Sequence, residues 1–524
     1  MKLTMQVHQA VRRLAQSPIQ YHRTRQFVRK FHGHSTPRVP RGLPSSWPSA
    51  ILAAGVTSFG LTSWLYAPWA SDHSEKQQTK YADRETMLKV SSRCSPKIVA
   101  ANAKECQGVK AIVDVLGPES ITMNEDDIDW HSNSEASTAQ CATKPVAVVS
   151  PKNTEEVSII ARICSEYKIP MIPFAGGSSV EGHFTAPYSG LSIDFSAMNQ
   201  IIKFHEEDMD VVVQPGVNWV DLNDKIKDSG LFLPMDPSPT ALIGGMVATN
   251  CSGTNAVRYG TMKDWVINLT VVLADGSVIK TRHRPRKTSA GYNLTGLFTG
   301  SEGTLGMITE ITLKLAPIPE NESVAVATFP SVKDAVSCVS KVIRRGILVA
   351  SVELMDEIQM AVLNRNGGSG GRTWQEKPTL LFKFSGSTEA IAADIERVEK
   401  LVTKQGGSAF EFARTTTEMH NLWAARKEAL WAMLAQKPEG TQIWSTDVAV
   451  PLSRLPEIID LSKREAQGLG LFSSVLGHVG DGNFHQAIMY DPNSAAQVKA
   501  VQGCVSNMVH RAVEMEGTVS VGFT

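Results

Sequence analysis

Acidic residues are missing from the first 71 positions of this 524-residue chain, although the whole sequence contains 52 acidic and 52 basic residues. The same stretch is rich in Ser, Thr, Gln and His, and its basic residues are spread throughout: Arg12, Arg13, Arg23, Arg25, Arg29, Lys30, Arg38 and Arg41. This composition is typical of a mitochondrial presequence, which we predict over residues 1–48. A basic arm that binds nucleic acid is the alternative, but the rest of the chain offers no basic domain for it to serve.

Charged residues of either sign are absent between Arg41 and Asp72. Residues 51–70 form an apolar stretch long enough for a membrane span, which needs roughly 20 residues, and Trp64, Tyr66 and Trp69 lie at its C-terminal end, where an interfacial aromatic belt would be. We predict a transmembrane or sorting segment over residues 49–71 that anchors the protein in the inner mitochondrial membrane, facing the intermembrane space. Residues 72–140 would be a linker and lead-in. Cleavage of the whole stretch, with a soluble protein or a matrix location, is the alternative.

Paired cysteines are also lacking. The seven cysteines are an odd number, lie far apart and include no Cys-x-x-Cys motif. This pattern argues against a cysteine-bound metal knot and a redox dithiol, so we expect free and mostly buried thiols.

The stretch PFAGGSSVEGH at residues 173–183 concentrates three glycines and two serines directly after a predicted strand. It lacks the Lys-Ser/Thr ending of a nucleoside-triphosphate loop and the spacing of the Rossmann fingerprint, which excludes both interpretations. Glycine lets the backbone turn with positive φ, and successive N–H groups in such a turn form an anion-binding concavity that Ser178 and Ser179 can supplement. We interpret the stretch as a phosphate cradle, with an ordinary loop as the alternative.

Short apolar runs alternate with amphipathic helices over residues 141–316, which indicates an α/β or α+β domain. One helix is predicted over residues 154–167 with Thr154 as its N-cap, and another over residues 217–229 ends at Gly230. A second small-residue run at residues 243–253 has the Gly, Ala, Thr, Asn and Ser content that a backbone needs to lie flat against a planar aromatic ligand.

Four motifs in this order, PFAGGSSVEGH, IGGMVATNCSG with RYG, LADG, and GSEGTLGMIT, resemble the FAD-binding domain of the vanillyl-alcohol-oxidase (PCMH) type. The resemblance covers residues 141–318 and implies that the pyrophosphate is wrapped by Ala175, Gly176, Gly177, Ser178 and Ser179. It also implies a set of residues that line the isoalloxazine and ribityl side: Gly244, Gly245, Thr249, Ser252 and Gly253, with a backbone contact from Ile308. Family members with covalent FAD often carry a histidine in the glycine loop. Here Ser178 or Ser179 takes that place, which predicts non-covalent FAD.

The C-terminal part, residues 319–524, reads as strand and helix in a βαββαβ order, which predicts a ferredoxin-like α+β cap over the flavin. A long helix follows over residues 417–436, and we assign it an apolar face made of Leu422, Trp423, Ala425, Leu430, Trp431 and Leu434. Arg426 lies beside two tryptophans on this helix. It is either a bidentate clamp for a carboxylate or a surface arginine that snorkels over the rings.

His478 and His485 flank a Gly-Asp-Gly-Asn turn in the stretch GHVGDGNFH. If antiparallel strands flank the turn, both imidazoles point at one metal ion. The alternative is a turn that carries two hydrogen-bonded histidines.

The stretches GHVGDGNFH, TDVAVPLSRLPE and LWAARKEALWAM resemble the FAD-linked D-2-hydroxyacid dehydrogenases, and the resemblance extends from about residue 110 onward. It implies a small 2-hydroxyacid substrate, with D-lactate favoured over D-2-hydroxyglutarate, and cytochrome c as the electron acceptor. It makes Arg426 the substrate-carboxylate clamp, and His478 and His485 ligands of a divalent metal, zinc or manganese. Leu430 and Ala487 stand where the 2-hydroxyglutarate enzymes place polar contacts, which favours a small substrate.

Family members continue after Gly-Thr-Val-Ser with Gly-Glu-His-Gly, which carries a metal ligand and the catalytic base. This sequence reads Gly-Thr-Val-Ser-Val-Gly-Phe-Thr over residues 517–524. The expectation is therefore a C-terminally truncated cap domain without an identifiable base. An inactive or incomplete flavoprotein is the alternative of another class.

Overall fold

The computed structural model describes residues 107–134, 137, 140–368 and 371–521. The predicted presequence and the apolar segment at residues 51–70 lie outside these ranges. Within the described ranges, no helix combines the length and apolar character of a membrane span. Five cysteines lie in these ranges and are free thiols: Cys141, Cys164, Cys251, Cys338 and Cys504. Cys164, Cys338 and Cys504 are buried.

The first layer is a four-stranded sheet in the order β1-β2-β4-β3, in which β1 is antiparallel to β2 and the other pairs are parallel. Its strands are β1 Ile121–Thr122, β2 Ala147–Val149, β3 Met171–Phe174 and β4 Leu191–Asp194, and its helices are α1 Gln107–Leu116, α2 Glu125–Trp130 and α3 Thr154–Tyr167. The N-cap of helix α3 is Asn153 and not the predicted Thr154. The side chain of Asn153 accepts a hydrogen bond from the N–H of Glu156. Strand β3 leads directly into the glycine loop.

The second layer is an antiparallel sheet in the order β5-β6-β10-β8-β9. Its strands and the neighbouring pair β7 and β11 are β5 Ile201–His205, β6 Asp210–Val213, β7 Leu231–Phe232, β8 Val266–Val272, β9 Val278–Lys280, β10 Met307–Lys314 and β11 Ala316–Pro317. The helices of this part are α4 Trp219–Ile226, α5 Ile243–Ala248, α6 Ala256–Tyr259, α7 Met262–Trp265 and α8 Leu294–Phe298. A short 3₁₀ turn extends α4 to Gly230, whose φ of 73° confirms the predicted left-handed end.

The C-terminal part is built on a nine-stranded antiparallel sheet in the order β15-β12-β14-β13-β18-β19-β17-β20, with β16 paired to β19. Its strands are β12 Asn321–Thr328, β13 Ser351–Met355, β14 Thr379–Gly386, β15 Ser408–Phe412, β16 Gln442–Ser445, β17 Asp447–Ala449, β18 Ser473–Gly477, β19 Asn483–Tyr490 and β20 Thr518–Val521. Its helices are α9 Val332–Arg344, α10 Glu357–Arg365, α11 Thr388–Lys404, α12 Thr416–Ala435, α13 Leu455–Gly468 and α14 Ala495–Glu514. Strands β12 to β15 have the predicted ferredoxin-like arrangement, with the sheet order β15-β12-β14-β13. Helix α10 and the continuation of the sheet from β13 to β18 and beyond are features that we did not predict from the sequence.

The predicted apolar face of α12 is wrong in part. Leu430, Trp431 and Leu434 are exposed, with Trp431 at 70%. The buried side of the helix combines large residues with alanines and one methionine: Leu422, Trp423, Ala425, Ala429, Ala432 and Met433. Small residues let the helix lie close to the sheet, so burial here follows alanine rather than the largest side chains.

Candidate active site

A cavity of about 740 Å³ lies where the first and second layers meet the C-terminal sheet. The glycine loop, the α5 region and residues 302–308 form one side, and the other side includes Asp447, His478, Asp481 and Asn483. Its size is within the range of small-molecule and cofactor sites.

Most of the residues predicted to bind the flavin line this cavity: Ala175, Gly176, Gly177, Ser178, Ser179, Gly244, Gly245, Thr249, Ser252 and Ile308. Gly253 is not among the lining residues. A side chain at its position would collide with the carboxylate of Asp236, so the packing of the loop requires glycine there.

Two glycines of the cavity wall are required by close approach. A Cβ at Gly244 would lie 2.5 Å from the Cβ of Pro215. Gly177 has a φ of 61°, and a Cβ there would lie 2.8 Å from the ring of Phe174. The wall is therefore bare backbone with N–H and hydroxyl donors, which fits the anionic and planar parts of a flavin dinucleotide.

A hydrogen-bonded series runs along the glycine loop. Ser179 Oγ lies 2.6 Å from His183 Nδ1, and His183 Nε2 lies 3.1 Å from Glu302 Oε2. All three residues line the cavity. Both nitrogens of the histidine are thus engaged, one by Ser179 of the loop and the other by Glu302.

On the C-terminal side, His478 follows directly after β18, and His485 lies in β19. The two strands form an antiparallel hairpin that pairs Leu476 with His485. The imidazole centroids are 5.3 Å apart, so the predicted meeting of the two histidines across the turn is confirmed. His478 lines the cavity, and His485 is not among its lining residues.

His478 and Arg426 share one buried carboxylate. Glu353 Oε1 lies 2.8 Å from His478 Nδ1, and Glu353 Oε2 accepts a hydrogen bond of 2.7 Å from Arg426 Nε. Burial acts to raise the pKa of Glu353, but the positive charges of His478 and Arg426 outweigh it and hold that pKa below its ordinary value. Burial acts to lower the pKa of His478, and the carboxylate of Glu353 reverses this into a raised pKa.

Arg426 is anchored differently from the prediction. Its partner is Glu353, whereas Trp431 faces solvent and the cation near the Trp423 ring is Lys383, with Nζ 5.4 Å from the centroid. Arg426 does not line the main cavity, although it is joined to it through Glu353 and His478. Among the described residues, the two terminal nitrogens of its guanidinium form no hydrogen bond, so they are available to an anion.

The surroundings of His485 disfavour its protonated form. Burial lowers its pKa to about 4, and the Asp447 carboxylate, with Oδ1 at 3.7 Å, only partly opposes this. Its Nδ1 lies 3.1 Å from the carbonyl oxygen of Thr446. No group of three or more His, Cys, Asp or Glu residues in the described ranges has the arrangement of a metal site, so the pair offers two nitrogen ligands without a third protein ligand there.

The interpretation of the sequence missed Glu353 and Asp481. Glu353 stands inside the apolar run SVELM, and a single charge in the middle of a fully buried strand was the available signal. Asp481 lies in the turn between the histidines and lines the cavity, and burial raises its pKa to about 6.

Comparisons with known proteins agree with this architecture. The chain matches the FAD binding domain over residues 145–282 and the C-terminal domain of FAD linked oxidases over residues 318–521. It is also similar in structure to p-cresol methylhydroxylase, with a TM-score of 0.63 and 18% identity over 79% of this chain and 88% of that one. The chain belongs to the FAD-linked oxidases, and the predicted α+β fold with a PCMH-type FAD-binding domain is confirmed.

Within that family, the chain is similar to mitochondrial D-lactate dehydrogenases. It is 46% identical to the mitochondrial D-lactate dehydrogenase (cytochrome) of Kluyveromyces lactis over 78% of this chain and 73% of that protein. It is 42% identical to the enzyme of the same name from Arabidopsis thaliana over 91% of this chain and 83% of that protein.

Proposed function

We propose that this protein is a mitochondrial FAD-dependent dehydrogenase that oxidises D-lactate to pyruvate and passes the electrons to cytochrome c. The observation that carries the proposal is the unit formed by Arg426, Glu353 and His478, which reaches the cavity opposite the glycine loop. The names of the similar proteins support the same substrate, acceptor and location.

The reaction removes a hydride from Cα and a proton from the hydroxyl group of D-lactate. FAD, when bound, supplies the acceptor for the hydride. Arg426 binds the substrate carboxylate through its two terminal nitrogens, because Nε is already engaged by Glu353. The carboxylate is thereby held in one orientation, which places the hydroxyl group toward His478.

The two positions where the 2-hydroxyglutarate enzymes place polar contacts support a small hydroxyacid. Ala487 in β19 is buried, Leu430 on α12 is half exposed, and neither residue lines the cavity. Neither side chain can hydrogen-bond a second carboxylate. We therefore propose D-lactate over D-2-hydroxyglutarate.

The test is reduction of cytochrome c by the purified protein with D-lactate, L-lactate or D-2-hydroxyglutarate as the donor. We expect reduction with D-lactate and not with the other two donors. Faster turnover of D-2-hydroxyglutarate would favour the larger substrate, and inactivity toward all three would overturn the proposed function.

We also propose that His478 and His485 hold a divalent cation, zinc or manganese. Each imidazole has its Nδ1 within hydrogen-bonding distance of an oxygen atom, that of Glu353 or of Thr446, which leaves Nε2 for a ligand, as is usual for metal-binding histidines. The cation would act as a Lewis acid toward the substrate oxygens.

Metal analysis of variants tests this part. We expect about one divalent cation per flavin in the wild type and a clear loss in His485→Ala, because two protein ligands are fewer than the usual three or four. The control is His510→Ala, an exposed histidine bonded to the carbonyl of Ser506. Equal metal contents in all three proteins would contradict the assignment.

We further propose that residues 49–71 attach the protein to the inner mitochondrial membrane, with the body in the intermembrane space. The basic residues before the apolar stretch and the acidic residues after it support this orientation, which also gives access to cytochrome c. Protease protection in isolated mitochondria distinguishes it from a matrix location.

The flavin should be released when the protein is precipitated with acid. The glycine loop has no histidine at residues 176–179, and both nitrogens of His183 are already engaged. Cys251 also lines the cavity, but burial raises the pKa of its thiol to about 12, which leaves little reactive thiolate. The measurement is flavin absorbance in the supernatant and pellet, and a yellow pellet would show covalent attachment.

A further inference from the structure

We infer that Glu353 is the positioning residue of this site and that it fixes His478 and Arg426 together in the orientations used by the reaction. The inference rests on the proposed function. It concerns a residue that contacts neither the cavity nor a ligand directly, and it follows from the geometry of one carboxylate.

Glu353 lies at the centre of β13, on a strand that is buried over its whole length. Strand β13 pairs with β14 on one side, where Glu353 is opposite Leu381, and with β18 on the other. His478 follows the last residue of β18. The carboxylate is therefore held on a buried strand that is paired on both sides, directly beside the turn that carries the histidines.

A buried carboxylate is a poor choice for stability alone. Removing a charge from water costs several kcal/mol, and a well-packed apolar residue often serves the fold as well as an ion pair. The partners of Glu353 are what distinguish it. One carboxylate oxygen meets the imidazole that lines the cavity, and the other meets the proposed substrate clamp.

The two contacts set the hydrogen-bonding state of His478. Arg426 Nε is always a donor, and a carboxylate only accepts. Glu353 Oε1 therefore takes the Nδ1–H of His478, which fixes the orientation of the ring and, in its neutral form, the tautomer that has its lone pair on Nε2. The same carboxylate prevents rotation of the guanidinium, so its terminal nitrogens keep one direction.

Glutamine at this position cannot satisfy both neighbours. Its single oxygen can accept a hydrogen bond from either Arg426 or His478, but not from both in the same arrangement. Its NH₂ group then faces the other donor, or forces the imidazole into the opposite tautomer. Aspartate keeps two acceptor oxygens but is one methylene shorter. The expected order of function is therefore wild type, Glu353→Asp, Glu353→Gln.

Asp356 provides a matched control. It is also fully buried and close to the same strand, but its ion pair is with Lys463, at 2.7 Å, and neither residue lines the cavity. Asp356→Asn removes a buried negative charge and keeps a side chain that can cap α10. It reports the effect of losing a buried ion pair without disturbing the site.

The experiment measures binding of oxalate, a small dianion, by the absorbance change of the bound flavin, and steady-state kinetics with D-lactate. We expect the oxalate Kd and the KM for D-lactate of Glu353→Gln to rise about tenfold, with a fall in kcat, a typical effect for residues that orient ligands. Glu353→Asp should show a smaller rise in Kd. Asp356→Asn should bind oxalate like the wild type.

Binding per flavin-loaded molecule does not depend on how much of the preparation is folded, so a purely structural role would leave Kd unchanged. A wild-type oxalate Kd in Glu353→Gln would overturn the inference. If that variant does not fold, Glu353→Asp decides by the same criterion. Failure of the wild type to oxidise D-lactate would refute the proposed function, whereas the oxalate measurements would still test Glu353.

Discussion

Replacing Arg426 with lysine should lower kcat/KM for D-lactate, even though the positive charge is kept. An ammonium group is a point charge and cannot reproduce the planar fork that binds a carboxylate with two hydrogen bonds. Lysine also has no equivalent of Nε, which Glu353 engages at 2.7 Å. Loss of a charge-assisted contact of this kind costs about 1.5–3 kcal/mol, or roughly ten- to a hundredfold in kcat/KM.

The measurement is D-lactate-dependent cytochrome c reduction, with flavin content as the measure of intact protein. Arg426→Leu should be more damaging than Arg426→Lys, because it leaves the buried Glu353 without its partner. Arg454→Lys is the control, since Arg454, the N-cap residue of α13, forms an exposed pair with Glu457 in the first turn of that helix. Unchanged kinetics in Arg426→Lys would mean that the substrate carboxylate is bound elsewhere.

The sequence was most informative where the backbone itself makes the site. The stretches at residues 173–183 and 243–253 consist of small residues in order along the chain, so local composition predicted a cradle that the structure places around one cavity. Likewise, the histidines of GHVGDGNFH are brought together by a single hairpin, and their separation follows from the turn between them.

Contacts between distant segments were much harder to predict. Glu353 precedes Arg426 by 73 residues and His478 by 125, and no local pattern connects them. The same limit explains why the predicted apolar face of α12 is wrong in part, since we inferred burial from the hydrophobicity of its side chains alone. The close packing of Ala429 and Ala432 against neighbouring elements turned the helix so that Trp431 faces solvent.

Two adjacent glycines in the flavin cradle should respond to substitution in opposite ways. A Cβ at Gly245 would have its nearest neighbour, the Cβ of Ala175, 3.9 Å away, so the protein itself leaves room for a side chain. Gly245 lines the cavity, however, and that room is the space a flavin needs. A Cβ at Gly244 would instead lie 2.5 Å from Pro215 Cβ and 3.0 Å from its Cα and carbonyl oxygen.

Gly245→Val should therefore fold normally but lose FAD, and with it all D-lactate oxidation. Overpacking costs of about 1–3 kcal/mol correspond to roughly a five- to 150-fold weaker affinity for the cofactor. Gly244→Ala should instead lower the thermal stability of the apoprotein by a similar free energy, because the proline backbone cannot move aside.

Titration of each apoprotein with FAD, followed by flavin fluorescence, separates these two effects when it is combined with thermal unfolding of the same samples. The assignment of the cradle predicts that affinity falls in the Gly245 variant while the apoprotein melts at the wild-type temperature. If Gly245→Val binds FAD as tightly as the wild type, the flavin does not lie against α5, and residues 243–253 serve only to pack the second layer. Reduced affinity with unchanged apoprotein stability in Gly244→Ala would instead contradict the contact with Pro215, because a side chain there would then be reaching the ligand.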